Sequence, residues 1–440
     1  MRRATLALLA LLAGCGDGAD QGEPSAAAGK PASKWAHVAS LDPPATCAPL
    51  REEALGTLGE TSPALPADES RYEVWTFQGK PGDLVTIRME SESFDPYLAL
   101  LRETGLGTEV FALDDDSGGG ATAEIRCELP ESGSYWVVAN AALRDGEGPY
   151  RLRFESSGLP DFPAGDPAER YALLVGVGDY PESRFDLPAD STDLALIHEA
   201  LVTGFGFREE NVVTLRNREA TKTRVMHAFR GHLGRAGDEG LALFYFTGHG
   251  IKTHEDAVIR GELLDPDEGD GDEALLLADG SYLYDDEVGF LGDRLQASRV
   301  VFILDCCYAA SASRGGPRGW TKGIAHNEAR GFLKSTGTSS ARTGEPVGDP
   351  GRHLLLAASL PDQEARVLPE IPGLGAGSAF TYHLARALRS APADLTFGSL
   401  MRDVSTTTAT LVEDSLDVPQ NPVIAGSWQD ERVADMLGAP

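Results

Sequence analysis

A buried hydrophobic strand that ends at two cysteines is the feature that most constrains this chain. Residues 300–304 are an unbroken apolar run, VVFIL, and Asp305, Cys306 and Cys307 follow it directly. A run of this kind is typical of a strand buried on both faces of a parallel sheet. Because ligands in open α/β sheets collect beyond the carboxyl ends of the strands, the pattern predicts a reactive site with a carboxylate and a thiol.

A histidine follows a second apolar run of the same kind. Residues 241–246, LALFYF, lead into Thr247 and a Gly-His-Gly sequence, and His249 precedes Cys307 by 307 − 249 = 58 residues. A histidine within hydrogen-bonding reach of a thiol can take its proton and later protonate a leaving amine. We therefore predict a Cys–His pair. A structural buried cysteine and a turn histidine are the alternatives, and Cys306 is a rival nucleophile.

Strand and helix patterns alternate in the second half of the chain. The strand-like runs are residues 171–177, 212–215, 241–246, 300–304 and 353–359, and the helical patterns are residues 191–201, 222–233, 285–296 and 378–388. Alternation of this kind predicts an α/β fold in which helices flank a mostly parallel sheet. We assign this domain to residues 168–430.

The region before it has a different pattern. Residues 46–157 contain short apolar or alternating runs, such as 72–77 and 83–89, which turn sequences separate. Many short strands at regular spacing predict a small all-β sandwich domain in front of the α/β domain. Cys47 and Cys127 can pair in an oxidising compartment, but the sequence alone does not decide between a disulfide and two thiols.

The first residues predict a targeting signal. Arg2 and Arg3 precede an apolar core that ends at Cys15 and is too short to span a bilayer. Its last residues, LAGC, resemble the bacterial lipobox, which implies that Cys15 is lipidated. An ordinary secretory signal is the alternative. We assign residues 1–15 to a lipoprotein signal and residues 16–45 to a flexible tether, and expect a lipid-anchored protein of the bacterial cell envelope, on the outer membrane or an extracytoplasmic face.

Acidic residues dominate the charge of the chain. Its 440 residues include 68 Asp and Glu against 38 Lys and Arg, which gives a formal net charge of −30. Binding to a phosphate backbone requires Lys and Arg surfaces, so we expect no nucleic-acid partner. An acidic exterior suits a solvated, cation-attracting surface.

Two motifs resemble those of a known family. Residues 246–250, FTGHG, resemble the Y-S-G-H-G block of metacaspases, and residues 304–310, LDCCYAA, resemble their D-S-C-H-S-G block. From about Glu169 to about Leu388 the chain is similar to the caspase-like cysteine peptidases, in particular to their bacterial metacaspase-like branch. Tyr308 and the two alanines after it depart from the second block. The predicted sandwich resembles the bacterial pre-peptidase C-terminal domain.

The resemblance implies roles for the residues at the two strand ends. Cys307 matches the nucleophile of a cysteine endopeptidase, and His249 matches its catalytic histidine. The backbone N–H groups of Gly250 and Cys307 match the donors that stabilise the oxyanion. This chemistry requires no cofactor.

The resemblance also implies a pocket for basic residues. Asp193 and Asp305 match acidic residues of the family's primary specificity pocket, and Thr247 matches its serine. Asp190 takes the place of a cysteine and adds a carboxylate. Because paired carboxylates bind guanidinium groups well, we predict a peptide or protein substrate that is cleaved after Arg or Lys. Capping of a helix N-terminus is the alternative role of Asp193.

Calcium is a candidate activator by the same resemblance. Asp272, Asp285 and Asp286 match carboxylates that bind activating Ca²⁺ in the family, whereas Arg314 falls at the place of a further ligand and cannot serve. A solvated acidic loop and a helix N-terminus explain these residues equally simply.

Residues 311–351 form a basic segment in an otherwise acidic chain, and we interpret them as a loop beside the site in which autocleavage occurs.

Two other functions stay open at this point. In the first, the domain is a catalytically silent caspase-like scaffold or binding module at the cell envelope. In the second, it is part of a calcium-dependent adhesion or surface protein.

Overall fold

Two units with separate hydrophobic cores make up the described part of the chain, and they divide between Leu159 and Pro160. The computed structural model describes residues 48–438, except for residues 67, 105–106, 116–117, 119–121, 189, 253–257, 260–261, 264–272, 308–319, 325–351, 361–362, 372 and 427.

The first unit consists of two β-sheets. Its strands are β1 Ala48–Pro49, β2 Glu53–Leu58, β3 Tyr72–Gly79, β4 Leu84–Glu90, β5 Pro96–Thr104, β6 Gly107–Asp114, β7 Thr122–Glu128, β8 Gly133–Ala141 and β9 Gly148–Ser157. One sheet has the strand order β1-β3-β8-β5-β6, and the other has the order β2-β9-β4-β7. All neighbours are antiparallel except β1 and β3.

Alternating side chains fill the space between these sheets. Along β4, Val85, Ile87 and Met89 are buried and the residues between them are half-buried. A period of two is what a strand with one covered face shows. These side chains share a core with Leu98 and Val137 of the other sheet, so the predicted all-β sandwich is confirmed.

The second unit is built around a sheet of six strands. The strands of this unit are β10 Arg170–Gly176, β11 Val212–Arg216, β12 Leu241–Thr247, β13 Gly250–Lys252, β14 Val258–Ile259, β15 Glu262–Leu263, β16 Glu273–Leu276, β17 Tyr282–Tyr284, β18 Arg299–Asp305, β19 Trp320–Thr321, β20 Gly323–Ile324, β21 His353–Ala357, β22 Arg366–Ile371, β23 Gly375–Ser378 and β24 Val423–Gly426. The central sheet has the order β11-β10-β12-β18-β21-β24 and is parallel except for β24.

Helices cover both faces of the central sheet. They are α1 Asp190–Glu199, α2 Lys222–Gly231, α3 Asp285–Asp293, α4 Ala379–Arg389, α5 Phe397–Leu416 and α6 Val433–Leu437. Phe302 of β18 shares a core with Phe229 of α2, whereas Ile303 shares a second core with Phe380 of α4. Both faces of β18 are therefore buried, and the predicted α/β class is confirmed.

Smaller sheets accompany the central sheet in this unit. One has the order β17-β16-β13-β20, another has the order β19-β22-β23, and β14 pairs with β15. Helix α5 and strand β24 lie outside the elements that the sequence patterns predict. On α5, the hydroxyl groups of Thr406 and Thr410 donate to carbonyl groups one turn earlier.

None of the helices in the described ranges has the length and apolar character that crossing a membrane requires.

Candidate active site

The pairing of β12 with β18 brings the two predicted strand ends together. These strands are parallel neighbours, and Thr247 at the end of one pairs with Asp305 at the end of the other. His249 and Cys307 each follow two residues later. Because the two strand ends are paired with each other and each residue follows its strand end by two positions, the histidine and the thiol leave the sheet at the same edge.

The imidazole of His249 is buried and held in one tautomer. Its Nε2 atom lies 2.7 Å from the carbonyl oxygen of Phe185, and its ring packs on that of Tyr180 with 4.9 Å between centroids. Since a carbonyl only accepts, Nε2 carries the proton and Nδ1 keeps its lone pair. Nδ1 is buried and makes no hydrogen bond of normal geometry among the described residues, although the Lys322 backbone also interacts with the ring. Burial lowers the pKa of His249 to about 4, so the ring is a neutral base at pH 7.

The thiol of Cys307 is also buried, with 1% of the residue exposed. Its Sγ atom lies 3.7 Å from Oγ1 of Thr321. Burial raises the pKa of Cys307 to about 11, so the thiol is protonated at neutral pH. Cys306 belongs to the other core, together with Tyr180, so the two thiols point to opposite faces of the sheet.

Both predicted oxyanion donors bind a carbonyl group of the chain itself. The N–H groups of Gly250 and Cys307 donate to the backbone oxygen of Lys322 at 2.8 Å and 3.4 Å. The backbone of Lys322 also interacts with the imidazole of His249. Two N–H donors that converge on one carbonyl oxygen, beside a base, form the arrangement that acyl transfer requires.

The side chain of the same lysine fills a buried acidic pocket. Its Nζ atom lies 3.0 Å from Asp193 Oδ2, 3.0 Å from Asp305 Oδ2 and 2.6 Å from Thr247 Oγ1. An ammonium group has three N–H donors, and these three oxygens match them. Three of the four predicted pocket residues therefore meet around one cation.

Two donors orient the carboxylate of Asp193. The hydroxyl group of Thr247 donates to Oδ2 at 2.9 Å, and the N–H group of Ser378 donates to Oδ1 at 2.9 Å. Burial raises the pKa of Asp193 to about 6, and the positive charge of Lys322 opposes this shift. The bound ammonium group thus helps to keep the carboxylate ionised at pH 7.

Short strands lie on either side of Lys322, at which the backbone bends. β19 pairs with β22 in the antiparallel sense, and β20 pairs with β13 in the parallel sense. Between them, the Lys322 N–H group donates to the carbonyl oxygen of Ala365 at 3.0 Å. A bound peptide adds a strand to an exposed edge in the same way. We call residues 320–324 the internal peptide.

Asp190 lies apart from this pocket. Its carboxylate pairs with Arg216 of β11 and is not among the acceptors that the structure describes around the Lys322 ammonium group. The structure thus does not bring Asp190 to the other predicted pocket residues, and its role in substrate binding stays a prediction.

Three residues of the pocket are missed by the sequence patterns. Lys322 is one of several basic residues of its segment, and composition does not distinguish it from the others. Ser378 precedes the apolar period of α4, which is a recognisable helix-start signal but not a pocket signal. Thr381 donates its hydroxyl group to Asp305 Oδ2 at 2.5 Å, a contact that only the fold creates.

The predicted calcium ligands are only partly described. Asp285 and Asp286 lie in the first turn of α3, and Asp272 lies outside the described residues. Within the described ranges, no group of three or more His, Cys, Asp or Glu side chains could hold a metal ion. Cys15 and Cys47 also lie outside these ranges, so lipidation and the disulfide stay predictions.

Comparison with known proteins identifies the family. The family model described as "Caspase domain" matches residues 169–430, which is more than half of the chain. The chain belongs to the caspase-domain family. The caspase domain thus contains every residue of the site described above, and the resemblance drawn from the two sequence motifs is confirmed.

Two curated relatives of this caspase-domain protein are metacaspases. Metacaspase-1 of Eremothecium gossypii is 26% identical over 285 residues, which cover 62% of this chain and 58% of that protein. Metacaspase-4 of Arabidopsis thaliana is 24% identical over 144 residues, which cover 31% of this chain and 33% of that protein. The chain therefore spans about a third to three fifths of the length of these relatives.

Two solved structures have weaker likenesses to the chain. A protein from Geobacter sulfurreducens covers 60% of this chain and 98% of its own, at 18% identity and a TM-score of 0.42. The pre-peptidase C-terminal domain of a Bacillus anthracis collagenase covers 26% of this chain and 100% of its own, at 16% identity and a TM-score of 0.21. These TM-scores are too low to establish a shared fold.

The internal peptide generates a prediction about thiol reactivity. Lys322→Ala removes the cation that holds the peptide in the pocket, so water reaches Cys307 and its raised pKa falls toward the ordinary value. We expect iodoacetamide to alkylate Cys307 at least about tenfold faster than in the unmodified chain. The measurement is peptide mapping by mass spectrometry over time.

The matched control is Lys334→Ala, which removes a basic residue of the same segment. Cys306→Ala distinguishes the two thiols. Equal alkylation rates in the Lys322→Ala and Lys334→Ala chains, or labelling of Cys306 alone, would contradict the assignment of Lys322 and Cys307.

Proposed function

We propose that this protein is a cysteine endopeptidase that cleaves peptide and protein substrates after Lys or Arg. The observation that carries the proposal is the position of Lys322. Its side chain lies between Asp193 and Asp305, while its carbonyl oxygen accepts from Gly250 and Cys307. One residue therefore fills the acidic pocket and the oxyanion site together, as the residue before a cleaved bond must.

Cys307 and His249 form the proposed catalytic pair. Nδ1 of His249 takes the thiol proton as Sγ of Cys307 attacks the carbonyl carbon of the basic residue. With a thiol pKa of about 11 and an imidazole pKa of about 4, a standing ion pair is unfavourable in the closed site. The proton therefore moves during the attack. The negative charge that develops on the oxygen is stabilised by the N–H groups of Gly250 and Cys307.

The second half of the reaction breaks the peptide bond and restores the thiol. His249 gives its proton to the leaving amine, and the acyl group stays on Cys307 as a thioester. The same imidazole then takes a proton from water as the water oxygen attacks the thioester. The C–S bond breaks, the imidazole returns the proton to Sγ of Cys307, and a carboxyl-terminal Lys or Arg is released. The Phe185 carbonyl keeps the proton on Nε2 throughout, so Nδ1 performs each transfer.

The pocket supports a preference for basic residues through charge. A cationic side chain finds two carboxylates and a hydroxyl group as acceptors, whereas an acidic side chain meets two like charges without water to screen them. We expect the full chain with Lys322→Ala, in which the internal peptide does not fill the pocket, to hydrolyse reporters that end in Lys or Arg and not reporters that end in Asp. Asp305→Asn lowers kcat/KM for the lysyl reporter about 100-fold, and the exposed control Asp394→Asn leaves it unchanged.

The same assay has an expected pH signature. With the Lys322 ammonium group in the pocket, the pKa of Asp193 is raised to about 6, and because this cation lowers the pKa, the value is higher in the empty pocket. KM for the lysyl reporter therefore rises as the pH falls toward about 6, because the empty pocket takes up a proton that the bound ammonium group must displace. Hydrolysis of the Asp reporter alone, or of none of the three in the presence of reductant, would overturn the proposal.

The internal peptide supports self-cleavage of the bond between Lys322 and Gly323. Its backbone pairs with β22 before this bond and with β13 after it, and the carbonyl oxygen of Lys322 accepts from the N–H group of Cys307. The catalytic steps are those given above, with Gly323 as the leaving amine. The predicted autocleavage in residues 311–351 thereby gains a specific position.

Incubation of the full chain should yield a fragment that begins at Gly323. Lys322→Arg keeps the cut because guanidinium also fits the acidic pocket, and Lys322→Glu and Cys307→Ala abolish it. Lys334→Ala is the matched control and is still cut. Amino-terminal sequencing and intact mass identify the fragment. A fragment that begins elsewhere, or cleavage of the Cys307→Ala chain, is incompatible with this assignment.

Calcium activation is proposed on the resemblance of Asp272, Asp285 and Asp286 to family ligands. Asp285 and Asp286 are half-buried at the N-terminus of α3, where carboxylates also interact favourably with the helix dipole. The reporter assays therefore include arms with Ca²⁺ and with EDTA. Equal hydrolysis rates with Ca²⁺ and with EDTA would contradict calcium activation.

Attachment to the bacterial cell envelope through lipidated Cys15 is proposed on the LAGC sequence at residues 12–15. Metabolic labelling with a clickable fatty acid tests it. We expect labelling of the full chain and loss of labelling in the Cys15→Ala chain, with the protein recovered in the membrane fraction only in the first case. Labelling that survives Cys15→Ala contradicts the anchor.

A further inference from the structure

The carboxylate of Asp305 depends on a threonine hydroxyl group from a distant helix. Asp305 is fully buried, its Oδ2 atom accepts from Lys322 and from Thr381, and its Oδ1 atom has no partner among the described residues. Asp193, by contrast, keeps the donors Thr247 and Ser378 when no cation is bound. Thr381 is therefore the described side chain that still holds Asp305 in an empty pocket.

The hydroxyl group of Thr381 is not used by its own helix. Threonines in helices often donate to a carbonyl group one turn earlier, as Thr406 and Thr410 do on α5. Thr381 instead donates to Asp305, 76 positions away in the chain, at 2.5 Å. This donation requires the hydroxyl hydrogen to point away from the helix backbone and toward the pocket.

The donation from Thr381 to Asp305 fixes the direction of a second hydrogen bond, between Tyr245 and Thr381. The hydroxyl oxygen of Tyr245 lies 2.7 Å from Oγ1 of Thr381, and Tyr245 is fully buried on β12. Because a carboxylate only accepts hydrogen bonds, the hydroxyl hydrogen of Thr381 is donated to Asp305. The hydroxyl oxygen of Thr381 is then the acceptor for the hydroxyl group of Tyr245. The result is a directed chain from Tyr245 through Thr381 to the pocket carboxylate. Chains of this kind strengthen each member.

We propose that Thr381, oriented by Tyr245, is a positioning residue for substrate specificity that aims Oδ2 of Asp305 at the cationic side chain of the substrate. This inference rests on the proposed function. Thr247 and Thr381 then have parallel tasks, since each donates a hydroxyl hydrogen to one of the two pocket carboxylates. A preoriented carboxylate binds the cation without having to be ordered at that moment.

The test uses the full chain with Lys322→Ala, so that the internal peptide does not compete for the pocket. In this parent, Thr381→Val keeps the shape of the side chain and removes the donor. We expect KM for a lysyl reporter to rise about tenfold, the size of a lost hydrogen bond to a charged group, with kcat changed less than about twofold. Thr381→Ser restores the donor and the parent KM. Tyr245→Phe gives a smaller rise, about threefold.

Thr408→Val is the matched control. Thr408 is a fully buried threonine of α5, and its hydroxyl group has no partner in the described part of the chain. We expect its KM to equal that of the parent. An unchanged KM in Thr381→Val, a Thr381→Ser chain as impaired as Thr381→Val, or an equal rise in Thr408→Val would each overturn the inference.

A binding measurement separates this inference from the proposed function. Ligand-observed NMR with N-acetyl-lysine methylamide reports on occupancy of the pocket without turnover. A parent chain that binds this amide but hydrolyses no reporter refutes the peptidase, while weaker binding in Thr381→Val still supports the positioning role. A parent that hydrolyses the lysyl reporter, with equal amide binding in both chains, refutes the positioning role alone.

Discussion

The buried cluster of Lys322, Asp193 and Asp305 is the interaction on which the rest of the site depends. Each side chain is at most 1% exposed, and an unpaired ion at such a position costs on the order of several kcal/mol. The two carboxylates repel each other unless a cation lies between them, and burial already raises the pKa of Asp193 to about 6. The pocket is therefore most favourable when a basic side chain fills it. In the proposed function, selectivity for a basic side chain follows from this same repulsion.

The fold makes this cluster only when distant parts of the chain have assembled. Asp193 comes from α1, Thr247 and Asp305 come from the ends of adjacent strands, and Ser378 and Thr381 come from the start of α4. The parallel register of β12 and β18 sets the distance between the oxyanion donors and the pocket. The sheet edge thus fixes the two points at which Lys322 is held, its ammonium group and its carbonyl oxygen.

The sequence predicts the parts of this arrangement that have a local cause. Unbroken apolar runs locate β12 and β18. Because these strands are parallel neighbours whose ends are paired, His249 and Cys307 lie at the same edge of the sheet. The contacts of Lys322, Ser378 and Thr381 have no local cause, because each joins segments that are far apart in the chain. Asp190 is the opposite case, in which the motif predicts a pocket contact that the structure does not show. Its position in the motif resembles a pocket residue, yet Arg216 of the neighbouring strand pairs with it.

The internal peptide also explains why a reactive thiol is compatible with a closed, neutral site. Tethering gives Lys322 an effective concentration of about millimolar or higher at its own pocket, so an external peptide of ordinary affinity is excluded while the bond after Lys322 is intact. The same tether holds that bond against Cys307. In the proposed self-cleavage, cutting this bond converts the tethered lysine into a free chain end, which no longer competes at the effective concentration of the tether. Blocking and opening of the site are then two consequences of one contact, the ammonium group between Asp193 and Asp305.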